Sequence, residues 1–219
     1  MRSIKAAWAV VFCTFAFLVN TGFAAKTQSD QATAQMGPRA VIQATVNELN
    51  VQLSHLKKSQ ALAGESLESI VNASLLPKAD LRFMLKQVLG PEWRGISVNK
   101  QQELLDAFKA RLITTYSAIL KNYNNQRIKV FPLRGGLAAN VNQRDGKETV
   151  NIKTMIFGEG QPLEVTFSMV KTPTGWKVFD VIASGVSVVQ SFSSQFRPFV
   201  KQNGVDDLIK ALKKPVSTS

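Results

Sequence analysis

Few residues of this chain have the type and spacing that chemistry needs. His55 is its one histidine and Cys13 its one cysteine. Cys13 sits inside the apolar run near the start, with Phe12 before it, which does not fit a lipid-modified cysteine. A mature chain without Cys13 has no Cys–His nucleophile pair and no His/Cys-rich metal set. His55 falls at the polar end of a helical pattern and reads as a solvated imidazole. Asp206-Asp207 are neighbours in sequence and do not face one another on a helix, so they favour a helix N-terminus rather than a metal. Gly158-x-Gly160 is part of a phosphate-loop pattern, but strand patterns flank it and no helix follows. Asn72-Ala73-Ser74 is a short match to a glycosylation signal inside a helical pattern. The surviving catalytic candidate is Asp180, in KVFDVIASGVSVV (Lys177 to Val189). A lone carboxylate in a conical pocket can act as a general base. No second acid, base or oxyanion donor accompanies it, so a hydrogen-bonded structural role is the stronger expectation. No catalytic residue, metal site or cofactor is assigned.

That stretch raises a question of position. A strand with one wet face alternates apolar and polar residues. Val178, Phe179, Val181 and Ile182 put apolar groups on both faces, so both need cover. The rest of the chain must supply it. Met1 to Lys5 carries two bases, Ala6 to Val19 is almost unbrokenly apolar, and Gly22 and Ala24 are small. This is the three-part layout of a secretory signal peptide, cleaved after Ala24. The run is short for a membrane span of about 20 residues, the alternative being an uncleaved anchor. Cleavage leaves 195 residues with 25 bases and 15 acids, a net charge of +10. That length suffices for one sizeable core without disulfides. The charge favours anionic lipid headgroups or acidic protein faces. Export and the absence of basic-aromatic runs argue against nucleic acid. A plain solvated basic surface explains the charge equally well.

Residues 25–37 are polar and read as a disordered start. After Pro38, Val41, Ile42, Val46, Leu49, Leu53 and Leu56 recur at helical spacing, and Ala63-Gly64 breaks the pattern. Glu65 to Leu76 predicts a second helix stopped by Pro77, and Asp80 to Leu89 a third, ended by Gly90-Pro91. Asn99 with Gln102 resembles a capping box for a long helix striped by Leu104, Leu105, Phe108, Leu112, Tyr116 and Ile119, ending near Asn122 to Asn125. The period then changes to that of strands: Arg127 to Leu133, Thr149 to Phe157, Leu163 to Lys171 and Trp176 to Ile182, separated by turn residues. Val188, Phe192, Phe196 and Phe199 stripe one closing helix, with Pro198 near its end. Val205, Leu208, Ile209 and Leu212 stripe another, and 215–219 reads as a tail. Consecutive strands with short turns make a curved antiparallel sheet, and the whole is α+β.

Several of these segments also resemble one family. VLGPEWRGISVNKQQELLDAFKARLITTYSAILKNY (Val88 to Tyr123) is similar to a pattern of the MlaC, or toluene-tolerance, family, through Leu89, Gly90, Trp93, Arg94, Ser97, Phe108, Leu112 and Tyr116. Leu75-Leu76-Pro77, the strand Trp176, Val178, Phe179, Asp180, Val181 with Gly185-Val186-Ser187, and the closing Gly204, Leu208, Leu212 continue the likeness over about 40–214. Ser184 stands where many members carry an acid, and Asp80-Leu81 where the pattern has Asp-Phe. The resemblance implies a single domain over 38–214: a curved four-stranded cystatin-like antiparallel sheet wrapped by a helical subdomain. It implies a periplasmic carrier that holds a phospholipid's tails inside and passes it between an inner-membrane ABC transporter complex and an outer-membrane lipoprotein–porin complex. A branch of the family goes with hopanoid synthesis, so a hopanoid is the alternative ligand.

A tail-binding cavity requires apolar walls. The sheet candidates are Ile152, Ile156, Leu163, Val165, Phe167, Met169, Val178, Ile182, Val186 and Val189, with Leu85, Val88, Leu112 and Tyr116 opposite. Each of these also suits an ordinary core. Arg82, Lys86 and Arg94 are the candidates for a phosphate headgroup or a partner surface, or are simply solvated.

Overall fold

A computed structural model describes residues 36–58, 64–120, 126–158 and 160–214. The expected signal peptide, most of the expected unstructured start and the tail lie outside them. Met36 already packs against the sheet core, and Val41 N–H donates to the Gly37 carbonyl. The chain is α+β, as its patterning predicts.

Helix α1 (Pro38–Lys58) opens with proline at its first position, where the missing N–H costs nothing. Its stripe divides into two halves. Val41, Ile42 and Val46 pack on the sheet, whereas Leu49, Leu53 and Leu56 pack on Leu67 and Ile70 of α2 (Gly64–Ile70). A π turn (Val71–Leu75) and a 3-10 turn (Leu76–Lys78) lead to α3 (Leu81–Leu89). Asp80 caps α3 by accepting from Phe83 N–H at 2.9 Å. Gly90, at φ 60°, ends it. The Arg197 guanidinium donates to the α3 carbonyls of Val88 and Gln87, both at 2.8 Å. The positive φ favours glycine at position 90, and a Cβ there would sit 3.0 Å from that guanidinium, which would have to shift slightly.

A second 3-10 segment (Gly90–Gly95) precedes α4 (Val98–Leu120). The cap of α4 differs from the sequence expectation. Ser97, not Asn99, supplies it, its Oγ accepting from Lys100 N–H at 3.5 Å. Gln102 serves instead as a bridge, accepting from Arg82 at 3.0 Å and donating to Asp106 at 3.1 Å.

The sheet has the four expected strands, β1 (Arg127–Val130), β3 (Lys147–Phe157), β4 (Leu163–Thr172) and β5 (Gly175–Ala183), and two short ones besides. These are β2 (Asn142–Arg144) and β6 (Val186–Ser187). All pairing is antiparallel in the order β1-β3-β4-β5-β6, and β2 also pairs with β3. β1 pairs with residues 154–157 of β3 and β2 with residues 147–149, so the two lie in tandem on one edge. Asn142, Gln143 and Arg144 are all exposed and carry no apolar alternation, which is why composition does not predict β2.

The closing helix α5 (Val188–Lys213) is continuous except for a kink at Gly204, whose φ of 82° separates the two expected stripes. Pro198 lies six residues before that kink, near the end of the first striped segment as expected.

Strand register fixes the two faces of the sheet, because successive side chains alternate. Val150, Ile152, Thr154 and Ile156 of β3 pair with Met169, Phe167, Val165 and Leu163 of β4. All eight therefore share one face, and α1 packs on it. Thr166, Ser168 and Val170 point the other way. A bulge keeps β5 in step: Ser168 pairs with Asp180 and Met169 with Val178, leaving Phe179 unpaired. Phe179 thereby joins Asp180 on the second face, where it meets Phe83 of α3 edge-on, with ring centroids 5.1 Å apart. Beyond that face lies a helical core of α3, α4 and α5, built on Leu85, Val88, Leu104, Phe108, Phe196 and Leu208. The strand from Val178 to Ile182 is apolar on both sides because α1 covers one side and the α3/α5 layer covers the other.

Candidate functional site

Neither face is covered along its whole length: on the second face Asn151, Lys153 and Glu164 are exposed and polar, whereas on the α1 face the uncovered residues are apolar. On the α1 face, the two ends of β4 differ in burial. Met169 has 0% of its surface exposed and Val165 6%, whereas Leu163, at the strand's start, has 38%. On β3, Ile152 is fully buried and Ile156 only partly. The same end receives the β5–β6 hairpin. Ser184 and Gly185, at φ 49° and 82°, form a two-residue turn of the kind that hairpins favour. Val186 pairs with Ala183, which pairs with Val165, so Val186 belongs to the α1 face, and it is 63% exposed. Ser184 N–H donates to the Glu164 carbonyl at 3.1 Å, which holds the turn beside the start of β4. The result is an apolar strip that is core at one end and open at the other, ending in Leu163, Ile156 and Val186. Directly paired side chains in a sheet stand about 5 Å apart, so these groups form one surface.

Asp180 fixes the hairpin and the following helix. It is 7% exposed and sits on the opposite face. Its Oδ1 accepts from Val181 N–H at 2.8 Å and Val189 N–H at 3.0 Å, and its Oδ2 from Ser187 Oγ–H at 2.6 Å. Ser187 Oγ in turn accepts from Gln190 N–H at 3.0 Å, capping α5. A buried carboxylate with three donors is satisfied, and the first turn of α5 favours its negative charge. The Asp…Gly-Val-Ser spacing is the sequence signal of this staple. A carboxylate so bonded ties β5, the hairpin and the start of α5 together.

The sequence-derived tail-binding set is divided by the fold. Ile152, Ile156, Leu163, Val165, Phe167, Met169, Val178 and Val186 come together on the α1 face. Ile182 does not: it pairs with Thr166 and so points to the second face, because the bulge changes the alternation. Leu85, Val88 and Leu112 lie in the helical core, with Val189 packed against it, and do not share a surface with the strip. The surroundings of Tyr116 lie outside the described residues. The three cations are on the helical side as well. Arg82 donates to Gln101 and Gln102, Lys86 pairs with Asp145 at 3.2 Å, and Arg94 is exposed. They do not rim the open end of the strip. Sequence reasoning missed Ala183 and Val181, which share the α1 face, and Ile128, which pairs with Ile156.

The remaining chemical candidates are accounted for among the described residues. His55 is exposed. Asp206 pairs with Lys100 at 2.7 Å and Asp207 with Lys210 at 3.0 Å, and no group of three or more His, Cys, Asp or Glu is placed to hold a metal. The hydrogen bond from Lys100 holds Asp206 below the usual carboxylate range, and Asp206 with Glu103 raises Lys100. Ser74 is buried and exchanges hydrogen bonds with Gln52 at 2.8 and 3.0 Å, which ties α1 to the π turn. No described helix is long and apolar enough to cross a membrane.

This is the architecture of an α+β domain whose single curved sheet carries helices on both faces and leaves one apolar strip open at its end. A family model described as MlaC protein matches residues 43–214, and the chain belongs to that family. It is 24% identical over 192 residues to the intermembrane phospholipid transport system binding protein MlaC of Haemophilus influenzae, covering 85% of each chain. It is 26% identical over 174 residues to toluene tolerance protein ttg2D of Pseudomonas putida, covering 79% of this chain and 77% of that one. The fold is also that of a phospholipid-binding protein from Ralstonia solanacearum solved in complex with a phospholipid. The TM-score is 0.70 at 24% identity, over 81% of this chain and 95% of the other.

Proposed function

We propose that this protein is a periplasmic phospholipid carrier, exported by a cleaved signal peptide, and that it is a binding protein rather than an enzyme. The observation that carries the reading is the apolar strip on the α1 face, buried at Met169 and open at Leu163 and Val186. The names of the relatives, an intermembrane phospholipid transport binding protein and a phospholipid complex, support phospholipid as the ligand class. On this reading the acyl tails lie along Phe167, Val165, Ile156 and Leu163, with Val186 at the mouth. The buried candidates of the helical core, Leu85, Val88 and Leu112, remain a proposal only if that core parts to admit a tail.

Energetics set how such a carrier works. Each methylene leaving water is worth about 0.8 kcal/mol, so two tails with roughly 30 methylenes total on the order of 25 kcal/mol. Release into water is therefore far too slow, and transfer needs direct contact with an apolar path. The partners that provide it are an inner-membrane ABC transporter complex and an outer-membrane lipoprotein–porin complex, and the exchange maintains outer-membrane lipid asymmetry. Asp180 is fully engaged by Val181, Ser187 and Val189, which favours a binding role over catalysis at that residue.

Native mass spectrometry of protein purified from a Gram-negative host, with solvent extraction of the same sample, tests the reading. A bound mass matching a phospholipid is expected, and a hopanoid mass would redirect the ligand class. Ligand-free protein would overturn the carrier.

A further inference from the structure

The helical side of the sheet carries a trough that the tail-binding strip does not use. Two cavities of about 470 and 460 Å³ adjoin along α4 and share Asn72 and Lys109 in their walls. Both are shallow and wide open to solvent, which suits a small polar headgroup rather than an enclosed ligand. None of the fourteen tail candidates lines either one.

Their charges are segregated. In the first cavity Arg82, Lys109 and Lys177 stand against one acid, Asp80, and the hydroxyls of Thr172 and Thr174 are beside them. Asp80 is already committed, accepting from Phe83 N–H as the cap of α3 and lying 4.0 Å from Lys147. In the second, Lys109 stands against Glu68 and Asp106. Leu76, Leu81 and Leu105 give the first an apolar wall, and Ala110 and Ile113 do so in the second. Asp106 and Lys109 are neighbours three apart on α4. Asp106 nevertheless accepts from Gln102 rather than from Lys109, and Lys109 makes no hydrogen bond or ion pair to another described residue. Arg82 spends two of its five N–H donors on Gln101 and Gln102 and keeps the others. Lys177 is committed to the Pro77 carbonyl at 2.6 Å and to a further contact, so it contributes positive charge to the trough and not a spare donor.

A cation-rich compartment beside an acid-rich one matches a ligand with a negative and a positive group on one short body. An anion alone would meet Glu68 and Asp106, and a cation alone would meet Arg82 and Lys177. We infer that this trough is a second binding site, for a zwitterionic phosphate–ammonium headgroup, with the phosphate at Arg82, Lys109 and Lys177 and the ammonium at Glu68 and Asp106. The headgroup reaches it either free in solution or displayed on a lipid surface. The site lies on the side of the sheet away from the strip, so both can be filled at once.

The test is an amide-resolved NMR titration of the full mature protein with glycerophosphoethanolamine, with inorganic phosphate and ethanolamine in parallel. Saturable shifts confined to 68–82, 105–113 and 172–177 are expected. Lys109→Glu should weaken them at least tenfold while circular dichroism is unchanged. Glu68→Gln with Asp106→Asn should weaken glycerophosphoethanolamine severalfold and leave phosphate unweakened. Shifts that are absent, spread over the surface or indifferent to Lys109→Glu overturn the site, and phosphate binding as tightly as the zwitterion overturns the ligand class. Vesicles of phosphatidylcholine with and without phosphatidylethanolamine separate the sources. Cosedimentation that needs phosphatidylethanolamine and Lys109 assigns a membrane headgroup, and its absence beside positive NMR shifts assigns the soluble one. Tail content by native mass spectrometry reads the strip independently, so failure here leaves the carrier reading intact, and the reverse.

Discussion

The two faces of the sheet differ in composition and in what covers them: the α1 face is almost wholly apolar, whereas the helical face mixes Val170, Phe179 and Ile182 with Thr166, Ser168 and Asp180. On the helical side, α3, α4 and α5 close a core in which Phe108 meets Phe192 and Phe196 with ring centroids 5.1 and 6.1 Å apart. On the other side a single helix, α1, covers only part of the strip and then turns to α2, leaving Leu163 and Val186 open. The lesson is that apolar patterning predicts which residues avoid water, but not whether protein or ligand excludes it. Coverage decides that, and coverage depends on where α1 leaves the sheet.

Substitutions should separate the faces by their effect on stability. Phe108→Ala, in the closed core, leaves a cavity and should cost about 3–5 kcal/mol, read as a lower urea midpoint. Asp180→Ala removes the acceptor for two backbone amides and the Ser187 hydroxyl. It should cost about 3 kcal/mol, and Asp180→Asn somewhat less, since donors left unpaired in a buried place cost roughly 1–3 kcal/mol each before relaxation. A denaturation midpoint unchanged by Asp180→Ala would break the idea of a staple. Phe167→Asp, on the partly covered strip, should cost less than Phe108→Ala and should strip bound lipid, checked by extraction.

The smallest effect is electrostatic. The β2–β3 turn is held to α3 by Asp145, which accepts from Gln87 at 2.7 Å and pairs with Lys86 at 3.2 Å. Those two partners, Gln87 first, keep its carboxyl below the usual range. A carboxylate lowered in the folded state stabilises it above the unfolded value, near pH 4, and that contribution is lost as pH falls through the lower folded value. Protection factors at residues 142–149, taken relative to the intrinsic exchange rate at each pH, should therefore fall in acid, and Asp145→Asn should flatten that dependence. The pair is exposed, so the change should be no more than a few tenths of a kcal/mol.

The strands β3, β4 and β5 and the helix stripes were legible in the sequence because each is written in local spacing, and a hydrogen-bonded structural role for Asp180 was expected without its partners Ser187 and Val189. Leu163, Val165, Phe167 and Met169 alternate, and the register keeps all four on one face. Three features were not legible. The bulge at Phe179 depends on how β4 and β5 align, and it turned Ile182 away from the strip. A core stripe and a cavity stripe have the same period, so the spacing of Leu85, Val88 and Leu112 does not separate a filled core from a cavity wall. The trough along α4 depends on residues far apart in sequence, such as Asn72, Lys109 and Thr174, meeting across three elements.

The central claim is that the tails lie on the open α1 face, with Val186 at its mouth. Native mass spectrometry of Val186→Glu beside the unmodified protein, with thermal melts of both, tests it most directly. A side chain 63% exposed carries little packing, so the melts should agree to within about 0.5 kcal/mol while the charged variant loses its bound lipid. A variant that melts normally and keeps a full complement of lipid would contradict the claim.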